Sequence, residues 1–487
     1  MVRAPVMELE NILTEGSISA LQDLYTSKEL SITEAVAFFL ARIEAVNRKG
    51  PSLNAVKTIA SDAVQQARIA DAEIAAGRAR GPLHGIPVLL KDNILTADGM
   101  TASAGAAALQ SFVPEREATL VTLLRRAGAI ILGKTNLTEF ADYVSEVMPS
   151  GYSGAGGMVI NPHNEAFGRG QGSSVGSAAA VAAGLAPVAI GSETQNSIQT
   201  PATMSSIFGY KPSLGMVSRA GIFPLVPNQD SPGPLTRCAE DAALVVSALA
   251  VPDIRDGHSM NFPRRTASVA EPISIAEVKI GVPRGAITDR TELEPVMAAF
   301  ENALSKLSKA GARIMDPCDL PSAAQLQEVT SSVFRTEFKA ALNCFLEDNG
   351  SPSNIDSLET LIAWNEAHPD TIPYGQGLLE AAEATNGLAD QDYMKDRARD
   401  ILLSRTEGID AAIRLGVDIL MTPMTVLAKC TGKAGAPVLA VPLGADAAGG
   451  PIGVTLSAPL GHDAVLLRSA AAVAGVIAGR LSPHLAI

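Results

Sequence analysis

Aromatic side chains are scarce in this chain. They make up 4% of its 487 residues, with Trp364 the single tryptophan, yet hydrophobic residues reach 47%. Small aliphatic side chains must therefore fill most of an extensive core. Cysteine is nearly as rare. Cys238, Cys318, Cys344 and Cys430 form no Cys-x-x-Cys pair or other ligand spacing, which fits reduced, structural thiols of a cytosolic protein. The six histidines (84, 163, 258, 368, 462, 484) are equally scattered, with no His-x-x-Glu-His helix, so no metal site is expected. Positive charge is in the minority, 38 Lys and Arg against 51 Asp and Glu, for a net −13. With no basic cluster to offset that balance, nucleic acid is not an expected partner. No apolar run makes a convincing 18-residue span. The Ala-rich segment 177–191 comes nearest, and Gly184 and Pro187 divide it into a short helix and a strand, so no membrane span is expected. The first ten residues, Met1 to Glu10, lack the apolar stretch of a signal peptide. A cytoplasmic location is the expectation.

What is present reads as an α/β chain. Residues 16–80 pattern as amphipathic helices, and Ser31-Ile32-Thr33-Glu34 opens one with a capping-box pattern. From 83 to 250, apolar runs such as Val88–Leu90, Ala129–Leu132 and Pro187–Gly191 alternate with helical stretches. That alternation predicts a large mixed, mostly parallel β-sheet covered by helices on both faces. Residues 252–276 are polar and Pro-containing, a surface connection. Val278–Pro283 resumes as a strand, and Glu292 to Ala310 as a helix. Residues 320–410 pattern as helices with a break at Pro369–Gly377. A single domain over 1–487 is expected: N-terminal helices 1–80, a core 81–250, a variable helical cap 320–410, and a C-terminal part of the core, 411–487.

Three residues carry most of the information. Lys91 ends the run Gly85-Ile86-Pro87-Val88-Leu89-Leu90-Lys91-Asp92-Asn93. Ser173 lies in Gly170-Gln171-Gly172-Ser173-Ser174-Val175-Gly176-Ser177, and Ser197 in Gly191-Ser192-Glu193-Thr194-Gln195-Asn196-Ser197-Ile198-Gln199. Singly, a lysine after an apolar run is a strand-end charge, and serines beside glycines are turn residues. Two literal motif matches fail on context. Gly172-Ser173-Ser174-Val175-Gly176 fits the nucleophile elbow G-x-S-x-G, but that motif needs a strand just before it, and 161–171 reads as loop. Gly128 to Thr135 fits the phosphate-loop expression, but Ala129-Ile130-Ile131-Leu132 between its glycines is a buried-strand pattern where a flexible loop is required.

In this order and context, the three residues make the chain resemble the amidase signature family of serine hydrolases. The resemblance runs from about residue 60 to 250. It takes in His84-Gly85-Ile86-Pro87, Gly133-Lys134-Thr135-Asn136 with Glu139-Phe140, Gly209-Tyr210-Lys211-Pro212-Ser213 and Asp230-Ser231-Pro232-Gly233-Pro234. A fainter echo follows in Val441-Pro442-Leu443-Gly444 and Gly461-His462-Asp463. Ser173 and Ser197 stand 24 positions apart, the family's spacing. The resemblance implies that Ser197 attacks a carbonyl, Ser173 relays its proton and Lys91 is the base. A serine hydroxyl needs such a base, and a lysine at its ordinary pKa of about 10.4 cannot serve near neutrality. Burial beside the apolar run can bring it down. The resemblance also implies a cis peptide bond at Gly172–Ser173 and an oxyanion hole from backbone N–H groups of Thr194, Gln195, Asn196 and Ser197. It gives Ser174 the role of orienting the Lys91 amine by a hydrogen bond.

This chain departs from the family at Gln195-Asn196, where glycines or Asp-Gly are usual, and at Gln199, where arginine is common. Gln171 and Val175 also replace glycines. A positive φ at Asn196 would still let the turn form. The low-charge margin Met148-Pro149-Ser150-Gly151-Tyr152 makes Met148, Gly151 and Tyr152 candidate pocket residues. The expected activity is metal-free, cofactor-free hydrolysis of the C–N bond of amides, with aryl esters and carbamates (urethanes) in range, by a monomer or homodimer. Two readings stay open beside it: the glutaminase component of a tRNA-dependent amidotransferase, and a non-catalytic scaffold of the same fold.

Overall fold

A computed structural model describes residues 6–163, 167, 171–262, 273–352 and 354–485. Parts of the N-terminal segment (1–5), of the 161–171 loop (164–166 and 168–170) and of the 252–276 connection (263–272) lie outside the described residues. What is described of 161–171 contains no strand.

The core is one sheet of eleven strands: β1 Val56–Ile59, β2 Pro87–Lys91, β3 Ile130–Thr135, β4 Val188–Glu193, β5 Phe208–Lys211, β6 Ser231–Thr236, β7 Lys279–Gly281, β8 Arg313–Met315, β9 Ile419–Pro423, β10 Val438–Ala445 and β11 Pro451–Ser457. Their order is β1-β3-β2-β4-β6-β5-β10-β11-β9-β7-β8, and helices cover both faces of this mixed sheet. The expected excess of parallel pairing is corrected. β2 pairs parallel with β3 and β4, and β7 with β8 and β9. The other pairings are antiparallel. The parallel pairs arise where a helix intervenes, as Val175–Ala182 does before β4. β10 and β11 are joined by a short turn, which forces antiparallel pairing.

The N-terminal region also needs correction. Residues 16–80 are not all helix, because β1 lies among them and forms the sheet edge against β3. Four residues between helices leave too short an alternation to stand out. The capping box at Ser31 and Glu34 is present. The Ala-rich segment divides as expected into helix Val175–Ala182 and strand β4. Residues Ile130–Thr135 are the buried strand β3, so no phosphate loop exists there.

β2 is buried throughout, Lys91 included. A charged residue at the end of a buried strand is costly unless partnered, and the parallel neighbour β4 supplies its surroundings. Register pairs Leu90 with Ile190, so Lys91 stands beside the end of β4, where the turn carrying Ser197 begins. Sites in open α/β sheets form at such carboxyl ends of strands. The helices Val333–Asn349, Leu358–Ala367 and Gly377–Glu383, in the region expected to form a cap, share an apolar cluster with Phe140, Tyr143 and Leu225. Phe338 meets Phe140 and Tyr143 edge to face, at 5.7 and 5.2 Å. Trp364 stacks on His368 at 3.9 Å, a packing role.

Candidate active site

The Lys91 amine is held by three oxygens. Nζ lies 2.6 Å from Ser173 Oγ, and donates to Ser192 O at 3.2 Å and Ser192 Oγ at 3.1 Å. A neutral amine has two N–H bonds and one lone pair. Two donations to Ser192 leave the lone pair for the Ser173 hydroxyl, which is the arrangement of a base. Burial pushes Lys91 down to about 7, against the opposing pull of Asp230, Glu193 and Asp142. Lys134 and Lys211 are also buried and pushed down to about 8, yet their amines donate to backbone carbonyls, of Ile94 and of Thr431 and Ala436 respectively. What distinguishes Lys91 is the hydroxyl it touches.

Ser192 stands in the quoted sequence without a role, and no motif singled it out. Its hydroxyl is fixed by Asn93 Nδ2 at 2.9 Å. The expected bond from Ser174 to the Lys91 amine is corrected. Ser174 Oγ donates to Ser192 O at 3.0 Å and accepts from Ser192 N–H at 3.2 Å, so it acts one step back. The Gly172–Ser173 bond is corrected too, since Asp316–Pro317 is the cis peptide among the described residues. Gly172 has φ +115, and a Cβ there would stand 2.2 Å from Pro201 Cγ. Glycine is therefore required by both backbone and packing.

The segments carrying Ser173 and Ser197 are joined through backbone, Ser174 N–H donating to Ser197 O at 3.0 Å. Their hydroxyls make no direct hydrogen bond in this state, a link that closes in many enzymes once substrate arrives. The turn before Ser197 is pinned from beneath. Glu193 carboxylate accepts from Ile198 N–H at 2.7 Å, Gln199 N–H at 2.9 Å and Gln199 Nε2 at 2.7 Å. Gln199 Nε2 also donates to Gln195 O at 2.7 Å, and Thr200 N–H to Asn196 O at 3.0 Å. These bonds hold both carbonyls on the helix side. The N–H groups of Gln195 and Ser197 meet no acceptor among the described residues, as donors awaiting an oxyanion would. Thr194 Oγ1 donates to Asp230 at 2.6 Å. Asn196 does not have the positive φ expected of it. The turn is shaped instead by these bonds and by Gly432, where a Cβ would come within 2.6 Å of Thr194 O and of Gln195 Cγ.

Thr194 to Ser197 line a cavity of about 500 Å³, walled by Tyr143, Leu225, Leu326 and Phe334. A second cavity of about 550 Å³ reaches Asn93, Ser192 and Phe223, and both share Ala141, Thr194 and Leu225. The wall between them is an unusual turn. Phe140, Ala141 and Asp142 have left-handed φ of 43, 59 and 74, a costly run for non-glycine residues. Asp142, half-buried and accepting from Ser150 Oγ at 2.8 Å, is pushed up to about 6 by desolvation.

Met148, Gly151 and Tyr152, the expected pocket residues, are not in the lining of these two cavities. Met148 is buried in the same apolar cluster as Phe140 and Tyr143. Gly151 N–H donates to Thr138 Oγ1, which donates to Gly172 O. Tyr152 packs edge to face on Tyr374 at 5.0 Å. A low-charge segment marks apolar packing as readily as a pocket wall.

Comparison with known proteins places the whole chain. The family model described as Amidase matches residues 34–433. The chain belongs to the amidase family. It is 33% identical to an Arabidopsis thaliana protein named "Probable amidase" over 91% of this chain and 86% of that protein. It is 32% identical to a glutamyl-tRNA(Gln) amidotransferase component from Ralstonia pickettii, over 94% and 97%. The native peptide amidase of Stenotrophomonas maltophilia superposes on this amidase-family chain with a TM-score of 0.89, at 37% identity, covering 97% of this chain and 99% of that one. Among the described residues no helix is long and apolar enough to cross a membrane.

Proposed function

We propose that this protein hydrolyses amides through an acyl-enzyme on Ser197, with Ser173 and Lys91 as relay and base. The observation that carries the proposal is the Lys91 amine, saturated by Ser192 on its donor side and 2.6 Å from Ser173 Oγ. Ser197 Oγ adds to the carbonyl carbon as its proton passes through Ser173 to Lys91 Nζ. The oxyanion is met by N–H groups of the 194–197 turn. The C–N bond breaks as Lys91 returns the proton, through Ser173, to the departing nitrogen. Water then repeats the sequence on the ester, releasing the acid.

The apolar walls of the catalytic cavity support a neutral, partly apolar substrate, and the two adjoining cavities accommodate the halves on either side of the scissile bond. Likeness to a peptide amidase favours peptide C-terminal amides within a range that includes anilides, aryl esters and carbamates. Relatives named as amidotransferase components favour a second reading, glutaminase action for a partner complex. A purified sample assayed against anilides, peptide amides, esters, carbamates and free glutamine tests both. Turnover of the neutral amides is expected. Ammonia release from glutamine alone, with every other substrate inert, would replace the first reading with the second.

A further inference from the structure

Behind the oxyanion turn lies a third cavity, of about 430 Å³, that the proposed chemistry does not use. Its polar wall includes Asn228, Gln229, His258, Arg397, Arg405 and Lys433, and its apolar wall includes Leu214, Ile401 and Leu460. Asp400 is the one carboxylate among the lining residues. Its Oδ2 takes the ion pair with Lys433 and the hydrogen bond from Ser331 Oγ at 2.7 Å, while its Oδ1 is buried without a hydrogen-bond partner among the described residues. Glu337 stands behind Arg397 with 4.0 Å between Oε1 and Nε, but its oxygens already accept from Asn228 and Tyr393. Asp256 is taken by Arg219 and by His258 N–H.

Arg405 has no carboxylate within ion-pair distance among the described residues. Its Nε donates to Ala434 O at 2.6 Å, and Asp410 attracts it from farther off. Arg397 gives one donor to Asn228 Oδ1 at 2.6 Å. Two guanidinium groups thus border one concave, partly apolar space in a chain of net charge −13. Guanidinium forks match carboxylates in geometry and charge.

We infer that this cavity is a binding site for a small organic carboxylate, its charge between Arg397 and Arg405 and its hydrocarbon part on Leu214, Ile401 and Leu460. The site is outside the catalytic cavity and is linked to it by Gln195 Nε2, which donates to Gln229 Oε1 at 3.0 Å, and by the helix Ala428–Ala434, which lines both cavities.

Calorimetric titration of the full chain with benzoate, at low ionic strength, tests this. The expected result is one site with Kd on the order of 1 mM. Arg397→Gln and Arg405→Gln should each raise that Kd about tenfold, the loss of one charge-assisted hydrogen bond. Arg397 is half-exposed, so its variant is expected to fold even if the Arg405 variant does not, and circular dichroism checks both. The Ser197→Ala protein should bind benzoate as the unmodified chain does. Absence of binding, equal binding in the unmodified and folded variant proteins, or loss of binding in Ser197→Ala would each overturn the inference.

Discussion

Lys91 Nζ and Ser173 Oγ stand 2.6 Å apart although 82 positions separate them in the chain. The parallel pairing of β2 with β4 brings Lys91 beside Ser192, and the helix after Ser174 lies against the same strands. The contact is therefore a product of sheet topology, and every element that fixes it can be tested.

Ser192 is the least expected of these elements. The Ser192→Ala change removes the hydroxyl acceptor of the Lys91 amine and leaves the carbonyl. The amine then has freedom to turn away from Ser173, and kcat/KM should fall about 100-fold, as for a misplaced catalytic group. Thermal stability should stay close to wild type. Steady-state kinetics beside a melting curve checks both, and an unchanged rate would remove Ser192 from the account.

The acid limb of kcat/KM reports the free base. Lys91 is pushed down to about 7, so activity should rise through that pH and remain high in mild alkali. Asp142 lies close enough to favour the charged amine. Asp142→Asn removes that pull, so its limb should move to lower pH. A limb that moves upward would contradict the electrostatics.

The same burial has a consequence for stability. Lys91 titrates at about 7 when folded and 10.5 is the reference for the open chain. Between those values the unfolded state binds the extra proton, so the unfolding free energy gains with pH across that window. Below about 7 both states are charged, and the full cost of burying that charge is present. The Lys91→Met variant should therefore exceed wild type in stability most below pH 7, and its advantage should shrink toward pH 10.5. Urea denaturation at several pH values measures the difference.

At the oxyanion turn, Gln195→Gly and Asn196→Gly should redistribute kcat/KM among anilides, esters and carbamates by about 1–3 kcal/mol each, because the N–H donors remain. Asn196 lacks a positive φ, so glycine gives no relief there and costs up to about 1 kcal/mol in backbone entropy. A uniform loss on every substrate would show that these side chains serve the shared chemistry.

The sequence made the strand ending in Lys91 legible because an apolar run before a charge is a local pattern, and the division at Gly184 and Pro187 was legible for the same reason. Ser192 was not, because its role depends on a neighbouring strand rather than on residues beside it. The conformation of Asn196 escaped for a similar cause, since Glu193, Gln199 and Gly432 shape that turn from outside. Met148 and Tyr152 show that a weakly charged segment does not reveal which way its side chains face. Strand direction beyond β4 depends on connections whose length is visible but whose pairing is not.

In the proposed mechanism Ser197 becomes acylated by way of Ser173 and Lys91. Intact-protein mass spectrometry after exposure to a fluorophosphonate measures this directly. One adduct per chain is expected, located on the peptide containing Ser197, with labelling slowed severely in Ser173→Ala and Lys91→Met and absent in Ser197→Ala. An adduct of equal yield in Ser197→Ala, or no adduct in the active wild-type protein, would contradict the account.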